Sequence, residues 1–443
     1  MTDRGVPQGG IGRSARLASL PLAFTGRAVA GWGRTLAGAD SDEIAAATVA
    51  RNAEQLFAVL GTLKGGAMKL GQALSVYDAM IPSEFAAPYH DALAKLQTSS
   101  PPMPPRDVHR MLAEQLGRGW RERFTDFDEE PRAAASLGQV HRATWRCADG
   151  GGRDVAVKIQ YPGADVALDS DLRTLERFSR LFAAVFPALD VRALIRELRE
   201  RTLEEVDYRI EADRQRRFAA EFTGDRALVV PRVVASAPKV LVTDWLDGVP
   251  LRDLLGGVGD ETDRDRYGHT IVESMFASPA RIGLLHADPH PGNFLVLPDG
   301  RLGMIDFGAV AELPGGIPPV LARILVLTAR GESEALTALL RDEGFLAADA
   351  EAADVLRWVG ALADPLREER FHFTREWMAR QGSRVANPGN RAYRETGRAL
   401  AMPAEFVLVL RVLSGWMNIL AQLDCTVAAR GIVERWVPGF ASV

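Results

Sequence analysis

The residues with chemistry to offer lie close together in one stretch. It reads His286-Ala287-Asp288-Pro289-His290-Pro291-Gly292-Asn293 and is followed by Asp306-Phe307-Gly308. Asp288 and Asn293 are five apart, and Asp306 comes thirteen after Asn293. Two strand-like runs, 294–297 and 302–305, lie between them, separated by Pro298-Asp299-Gly300. A hairpin over that turn returns Asp306 to the side of Asn293. Three oxygen-bearing side chains then surround one spot. Oxygen ligands of this kind suit Mg²⁺, an ion usually shared with substrate phosphates. His286 and His290 flank Asp288, but no third nitrogen or sulfur ligand is placed nearby to make a zinc site.

A second chemical group stands earlier in the chain. Val155-Ala156-Val157-Lys158-Ile159 reads as a strand with a basic residue near its end. Before it comes Ala133-Ala134-Ala135-Ser136, a loop of small residues, then alternating residues up to Arg146 and a Gly-rich turn. Small side chains let backbone N–H groups approach phosphate oxygens, although alanine resists positive φ more than glycine does. On its own the same run also suits the start of an alanine-rich helix. Residues 164–185 and 191–222 read as long charged helices, the second carrying Glu204, Glu205, Asp207 and Glu211. Asp207 and Glu211, four apart, share a face, and Glu205 points away from both.

The surrounding elements are mixed. Residues 228–230, 233–236 and 239–243 read as short strands completing a small sheet, and 263–278 as a helix leading into the catalytic stretch. After Gly308 the pattern is mostly helical to Trp436, with loops at 314–319 and 387–390. Residues 406–423 are apolar but interrupted by Arg411, Asn418 and Gln422, which favours a buried helix over a membrane span. Upstream, Asp40-Ser41-Asp42-Glu43 is a capping box for a helix over 44–63. Gly65-Gly66 breaks it, and 67–79 forms a second helix with Lys69 and Gln72 on one face. On its own such a pair is commonly just solvated. Residues 1–39 hold five arginines and one acid among apolar residues. That composition suits either a tail docked on the domain or a segment lying on an anionic membrane surface.

Composition narrows the classes. The 443 residues are 47% hydrophobic, enough for a real core, and the net charge of −5 offers nucleic acid no general attraction. The two cysteines, Cys147 and Cys425, are far apart and fit a reducing compartment. The expected location is cytoplasmic, with any membrane contact peripheral at the inner face.

The order of Asp288, Asn293 and Asp306 resembles the catalytic loop and metal-binding turn of the protein kinase-like fold. Lys158 stands where the kinase lysine contacts phosphates, and it needs an acidic partner; Glu211, 53 residues on, is the choice. Residues 244–248, with Asp244 and Leu246, read as a hinge where adenine would bond to backbone groups. Lys69-Leu70-Gly71-Gln72, the alanine-rich loop and Glu205-Val206-Asp207 complete the set. Together they resemble the UbiB (AarF-type) family of atypical kinase-like proteins, over almost the whole chain.

The resemblance implies an α+β, two-lobed protein kinase-like fold with an N-terminal helical extension. Its parts are a basic tail (1–39), an extension with the KxGQ motif (40–130), an N-lobe with a helical insertion and hinge (131–247), and a C-lobe (248–443). It implies ATP and Mg²⁺ as cofactors, with Ala133 to Ser136 covering the nucleotide and Lys158 with Glu211 holding the phosphates. Asn293 and Asp306 would bind Mg²⁺, and Asp288 would be the catalytic Asp. Lys69 would reach toward Glu205 and Asp207, into room a protein substrate would need. The activity implied is that of an ATPase or small-molecule kinase acting on lipid-like substrates in isoprenoid quinone biosynthesis, with biosynthetic enzymes as partners. The alternative is a nucleotide-binding regulator or scaffold with little turnover. A true protein kinase is a third reading.

Overall fold

The computed structural model describes residues 102–135, 137–177, 206–346, 352–386 and 404–440. The N-terminal tail, most of the helical extension with Lys69 and Gln72, and Ser136, Glu205 and the 387–390 loop lie outside the described residues. The described elements open with α1 (Pro105–Leu116), β1 (Phe124–Phe127), β2 (Ala133–Ala135), β3 (Gly138–Arg146), β4 (Gly152–Gln160) and α2 (Ala164–Arg177). Next come α3 (Tyr208–Glu221), β5 (Leu228–Val229), β6 (Val233–Ala237), β7 (Val240–Asp244), β8 (Val249–Pro250) and α4 (Glu261–Ile282). Then follow β9 (Leu284–His286), β10 (Phe294–Val296), β11 (Leu302–Met304), β12 (Val310–Glu312), α5 (Pro319–Arg330), α6 (Ser333–Asp342) and α7 (Ala352–Arg367). The chain ends through β13 (Phe371–Phe373), α8 (Arg375–Ala386), α9 (Ala404–Leu423), β14 (Cys425–Val427) and α10 (Ala429–Trp436). The fold is α+β and kinase-like.

The chain divides into two units, the first comprising Met1–Met111, Ala133–Gln139 and Gln160–Val206. Within it, Met103 N donates to Gln139 Oε1 at 2.7 Å and Tyr161 N to Leu137 O at 2.9 Å. The second unit holds the remainder. One sheet of this unit contains the path β1-β3-β4-β7-β6. In β4, Val155, Val157 and Ile159 are fully buried, so the two-residue period sends Ala156 and Lys158 to the other face. Branched side chains at those three positions suit a strand, and β4 pairs antiparallel with β7, Lys158 opposite Leu241.

α3 explains how a carboxylate comes to be buried. Its inward stripe is Tyr208, Glu211, Ala212, Gln215, Phe218 and Ala219, the spacing of one helix face. Glu211 therefore lies in the apolar stripe itself. The expected continuous helix over 191–222 is corrected here. Val206 and Asp207 are not helical; Asp207 is the N-cap of α3, with extended backbone, accepting from Arg209 N at 3.0 Å. Aspartate competes with the helical backbone by bonding locally, which starts a helix rather than continuing one.

Two short strand pairs clamp the segments that carry the chemistry. β9 pairs antiparallel with β12, His286 opposite Val310, and β10 pairs antiparallel with β11. The loop after β9 enters β10, and the turn after β11 enters β12, so each is tied at both ends. β5 is a second correction. It joins β11 in parallel, in the order β5-β11-β10-β8, rather than completing the sheet of β6 and β7. The stretch after Gly308 also holds β12, β13 and β14 among its helices. β13 and β14 pair with Phe373 opposite Cys425.

Behind the strands pack α4 and α9. Gly283, at φ 66°, ends α4 in the left-handed region and turns the chain into β9. In α9, Val409, Val412, Trp416, Ile419, Leu420 and Leu423 are buried at helical spacing. Among the described residues no helix is long and apolar enough to cross a membrane. Cys425 is buried against α4, where a Cβ on Gly268 would lie 2.6 Å from its Sγ. Burial, with Asp265 and Asp424 nearby, pushes its thiol pKa up to about 12. A Cβ at Gly415 would fall 2.3 Å from Pro289 Cγ, so only glycine lets α9 lie against the loop after β9. Gly415→Ala gains up to about 1 kcal/mol of helix propensity, but the overlap costs about 1–3 kcal/mol. The expected result is a net loss of stability, read as a lower urea midpoint with unchanged m.

Candidate active site

Lys158 is the centre of the site. Its Nζ donates to Glu211 Oε1 at 2.7 Å and Oε2 at 2.9 Å, and lies 3.4 Å from Asp306 Oδ2. The three side chains are 16%, 5% and 36% exposed, so solvent reaches the group from the Asp306 side. Nζ also lies 5.1 Å from the centre of the Tyr208 ring, a cation–π contact. Burial alone would lower the Lys158 pKa, but the charges of Asp306 and Glu211 outweigh it and hold the ammonium well above its ordinary value. A raised lysine contributes stability fully below its unfolded value and loses it only as pH rises through the folded one. The cation is therefore intact at neutral pH.

The loop after β9 organises Asp288. Asn293 Nδ2 donates to Asp288 Oδ2 at 2.8 Å and to its carbonyl at 3.2 Å. Ile305 N donates to Asn293 O at 3.0 Å, extending the β10–β11 pairing until Asp306 stands beside the loop. Asp306 Oδ1 accepts from Gly308 N at 2.9 Å, and Gly308 O accepts from Arg214 at 3.1 Å. Of the histidines that flank Asp288, His286 is buried and His290 is exposed. His286 Nε2 is 2.6 Å from the Asp306 carbonyl oxygen, and His290 Nδ1 accepts from Gly292 N at 3.0 Å.

The donor set fits Mg²⁺. The Asn293 amide spends its nitrogen on Asp288, which turns its oxygen the other way. Asp306 adds a carboxylate on the adjoining turn. Among the described residues no three His, Cys, Asp or Glu side chains cluster as a metal cage. Two hard oxygens, completed by phosphate and water, are the usual terms on which Mg²⁺ binds. Lys158 is one cation facing two carboxylates, Glu211 and Asp306, an excess of acid over base that favours a divalent ion.

The other expected site residues fall as follows. Ala133–Ala135 form the short strand β2 in the first unit, neither the expected loop nor a helix start. Asp207 caps α3 and holds the Arg209 guanidinium at 2.6 to 3.1 Å, which keeps its carboxyl below the usual range. Asp244 ends β7 between Arg153 and Arg232; burial would raise its carboxyl, but these hydrogen bonds hold it low. Residues 245–248 are irregular, and Leu246 Cδ1 would lie 2.7 Å from a Cβ at Gly303. Residues 245–248 thus rest on the β10–β11 hairpin. Tyr208, Arg214 and the link from His286 to Asp306 were not singled out from the sequence. The helical spacing of Tyr208 with Glu211 was the available signal for the first. The other two depend on tertiary contact.

Lys158→Met leaves Glu211 buried without its partner, a change that costs about 3–5 kcal/mol. Lys158→Met with Glu211→Leu removes both charges and is expected to recover most of that loss. Chemical denaturation of the two variants beside the parent measures the difference.

Comparison with known proteins identifies the family. The model of the ABC1 atypical kinase-like domain matches residues 95–340. The Danio rerio atypical kinase COQ8B is 30% identical over 321 residues, 70% of this chain and 50% of that protein. A probable protein kinase UbiB from Azotobacter vinelandii is 29% identical over 381 residues, 84% of this chain and 68% of that one. An Arabidopsis thaliana chloroplast protein named for activity of the bc1 complex is 31% identical over 69% of this chain and 44% of its own length. The chain thus spans about half the length of several curated relatives it matches. A solved structure titled as the complex of Rv3197 with erythromycin, from Mycobacterium tuberculosis, superposes with a TM-score of 0.68. It is 43% identical and covers 91% of this chain and 100% of that one. With the motif order, the clamped loop and turn, and a family match across more than half its length, the chain belongs to the ABC1 (UbiB-type) family of atypical kinases.

Proposed function

We propose that this protein is a Mg²⁺-dependent, ATP-binding atypical kinase or ATPase that supports isoprenoid quinone or related lipid metabolism rather than phosphorylating proteins. The observation that carries the reading is Lys158 held between Glu211 and Asp306. Lys158 is pinned by Glu211 in the position from which its charge neutralises phosphate oxygens. Asp288, oriented by Asn293 through Oδ2, presents its second oxygen to the attacking hydroxyl or water and takes its proton. Asn293 and Asp306 would hold Mg²⁺, which when bound offsets charge on the phosphates. Residues 244–248 would meet the adenine. The acceptor would be small and lipid-like. The family's link to quinone biosynthesis supports that acceptor class and biosynthetic enzymes as partners, and the five arginines among apolar residues of 1–39 support a peripheral membrane contact.

Asp306→Asn removes a charged ligand and should lower Mg²⁺-dependent ATP hydrolysis on the order of 10²-fold, the scale of losing one charge-stabilising group. Equal turnover by purified parent and variant would refute the metal assignment.

A second reading is suggested by the related structure titled as an erythromycin complex: capture of a macrolide. Titration of the parent with erythromycin, with and without Mg-ATP, tests it. Binding at micromolar concentration supports it, and no heat up to the solubility limit removes it.

A further inference from the structure

His286 and Trp416 are 2% and 1% exposed, and their ring centres lie 6.2 Å apart. His286 Nδ1 and Trp416 Nε1 are both buried, and neither has a hydrogen-bond partner among the described residues. The two atoms are opposite in kind. His286 Nε2 faces the Asp306 carbonyl oxygen at 2.6 Å, and a carbonyl only accepts, so Nε2 carries the hydrogen. Nδ1 of the neutral ring is then an acceptor, whereas an indole Nε1 only donates. A buried polar atom left unpaired costs about 1–3 kcal/mol. Two of them on neighbouring rings call for a molecule that accepts from one and donates to the other.

We propose that a single buried water bridges Trp416 Nε1 and His286 Nδ1, making Trp416 a positioning residue for the Asp306 turn. The bridge fixes the His286 tautomer that donates to Asp306 O. Asp306 is thereby set from behind by α9 and from in front by Lys158. The neighbouring contacts fit this role. Gly415 brings α9 against Pro289, and the Trp416 ring meets Phe294, the residue after Asn293, at 5.4 Å. Both sides of the Asp288 loop therefore bear on the same helical turn that supplies the indole.

The proposal deepens the phosphoryl-transfer reading and rests on it only for its kinetic arm. The test uses the full chain and Trp416→Phe, which keeps an aromatic ring and removes the N–H. A high-resolution crystal structure of the parent should show water between the two nitrogens. Side-chain nitrogen NMR should find His286 in the Nε2–H form in the parent and altered in Trp416→Phe. Turnover of Mg-ATP should fall about 10-fold, as for residues that orient ligands through another group, with KM changed less than about 2-fold. A dry gap in the parent, an Nδ1–H tautomer, or unchanged turnover in a folded variant of an active parent each overturns it. Should the parent hydrolyse no ATP, the functional reading falls, while the water and the tautomer still decide this one.

Discussion

One ammonium group enclosed by carboxylates sets the terms for the rest of the structure. At an effective dielectric of about 20, unit charges 4 Å apart attract by about 4 kcal/mol. Burying such groups costs several kcal/mol per ion. The two roughly cancel, so the contact of Lys158 with Glu211 contributes geometry more than stability. What it does achieve is to tie β4 to α3, because each partner comes from one of those elements. Asp306 then approaches from a third element at 3.4 Å, with room left on its exposed side.

The supports for this arrangement form a column of rings. Phe218 of α3 meets Phe307 at 5.0 Å, Phe307 meets His286 at 5.7 Å, and His286 meets Phe294 and Trp416 at 6.2 Å. Two polar groups of the centre stand next to a member of this column, and a third shares a helix with one. Asp306 precedes Phe307, Asn293 precedes Phe294, and Glu211 is seven residues, two helical turns, before Phe218. Close packing of large rings permits few alternative arrangements. The short strand pairs that clamp the loop and the turn then need to supply direction only, not rigidity.

Much of this was legible in the residues, and the failures have physical reasons. The hairpin beside Asp306 was readable because Pro298-Asp299-Gly300 is a local turn signal between two apolar runs. The link from Lys158 to Glu211 spans 53 residues and came from the motif order, which demands an acidic partner for that lysine. The cap at Asp207 was hidden because charged helix formers stand on both sides of it. β5 was read as a strand, but its partner β11 lies more than seventy residues on, and pairing leaves no local mark. β13 and β14 are three residues each, too short to show a period. Trp416 reads in the sequence as one more apolar residue of a buried helix; only contact shows what its N–H faces.

The packing of β14 on α4 has a practical consequence. Cys425 sits in the tight space opened by Gly268, and a thiol with a pKa of about 12 has almost no thiolate at neutral pH. The chain's other sulfhydryl, Cys147, stands half-exposed on the turn between β3 and β4. A maleimide dye applied to the native protein would therefore mark a single position. That position lies on the turn leading into β4, the strand that carries Lys158, so an optical reporter could be attached there without altering any residue.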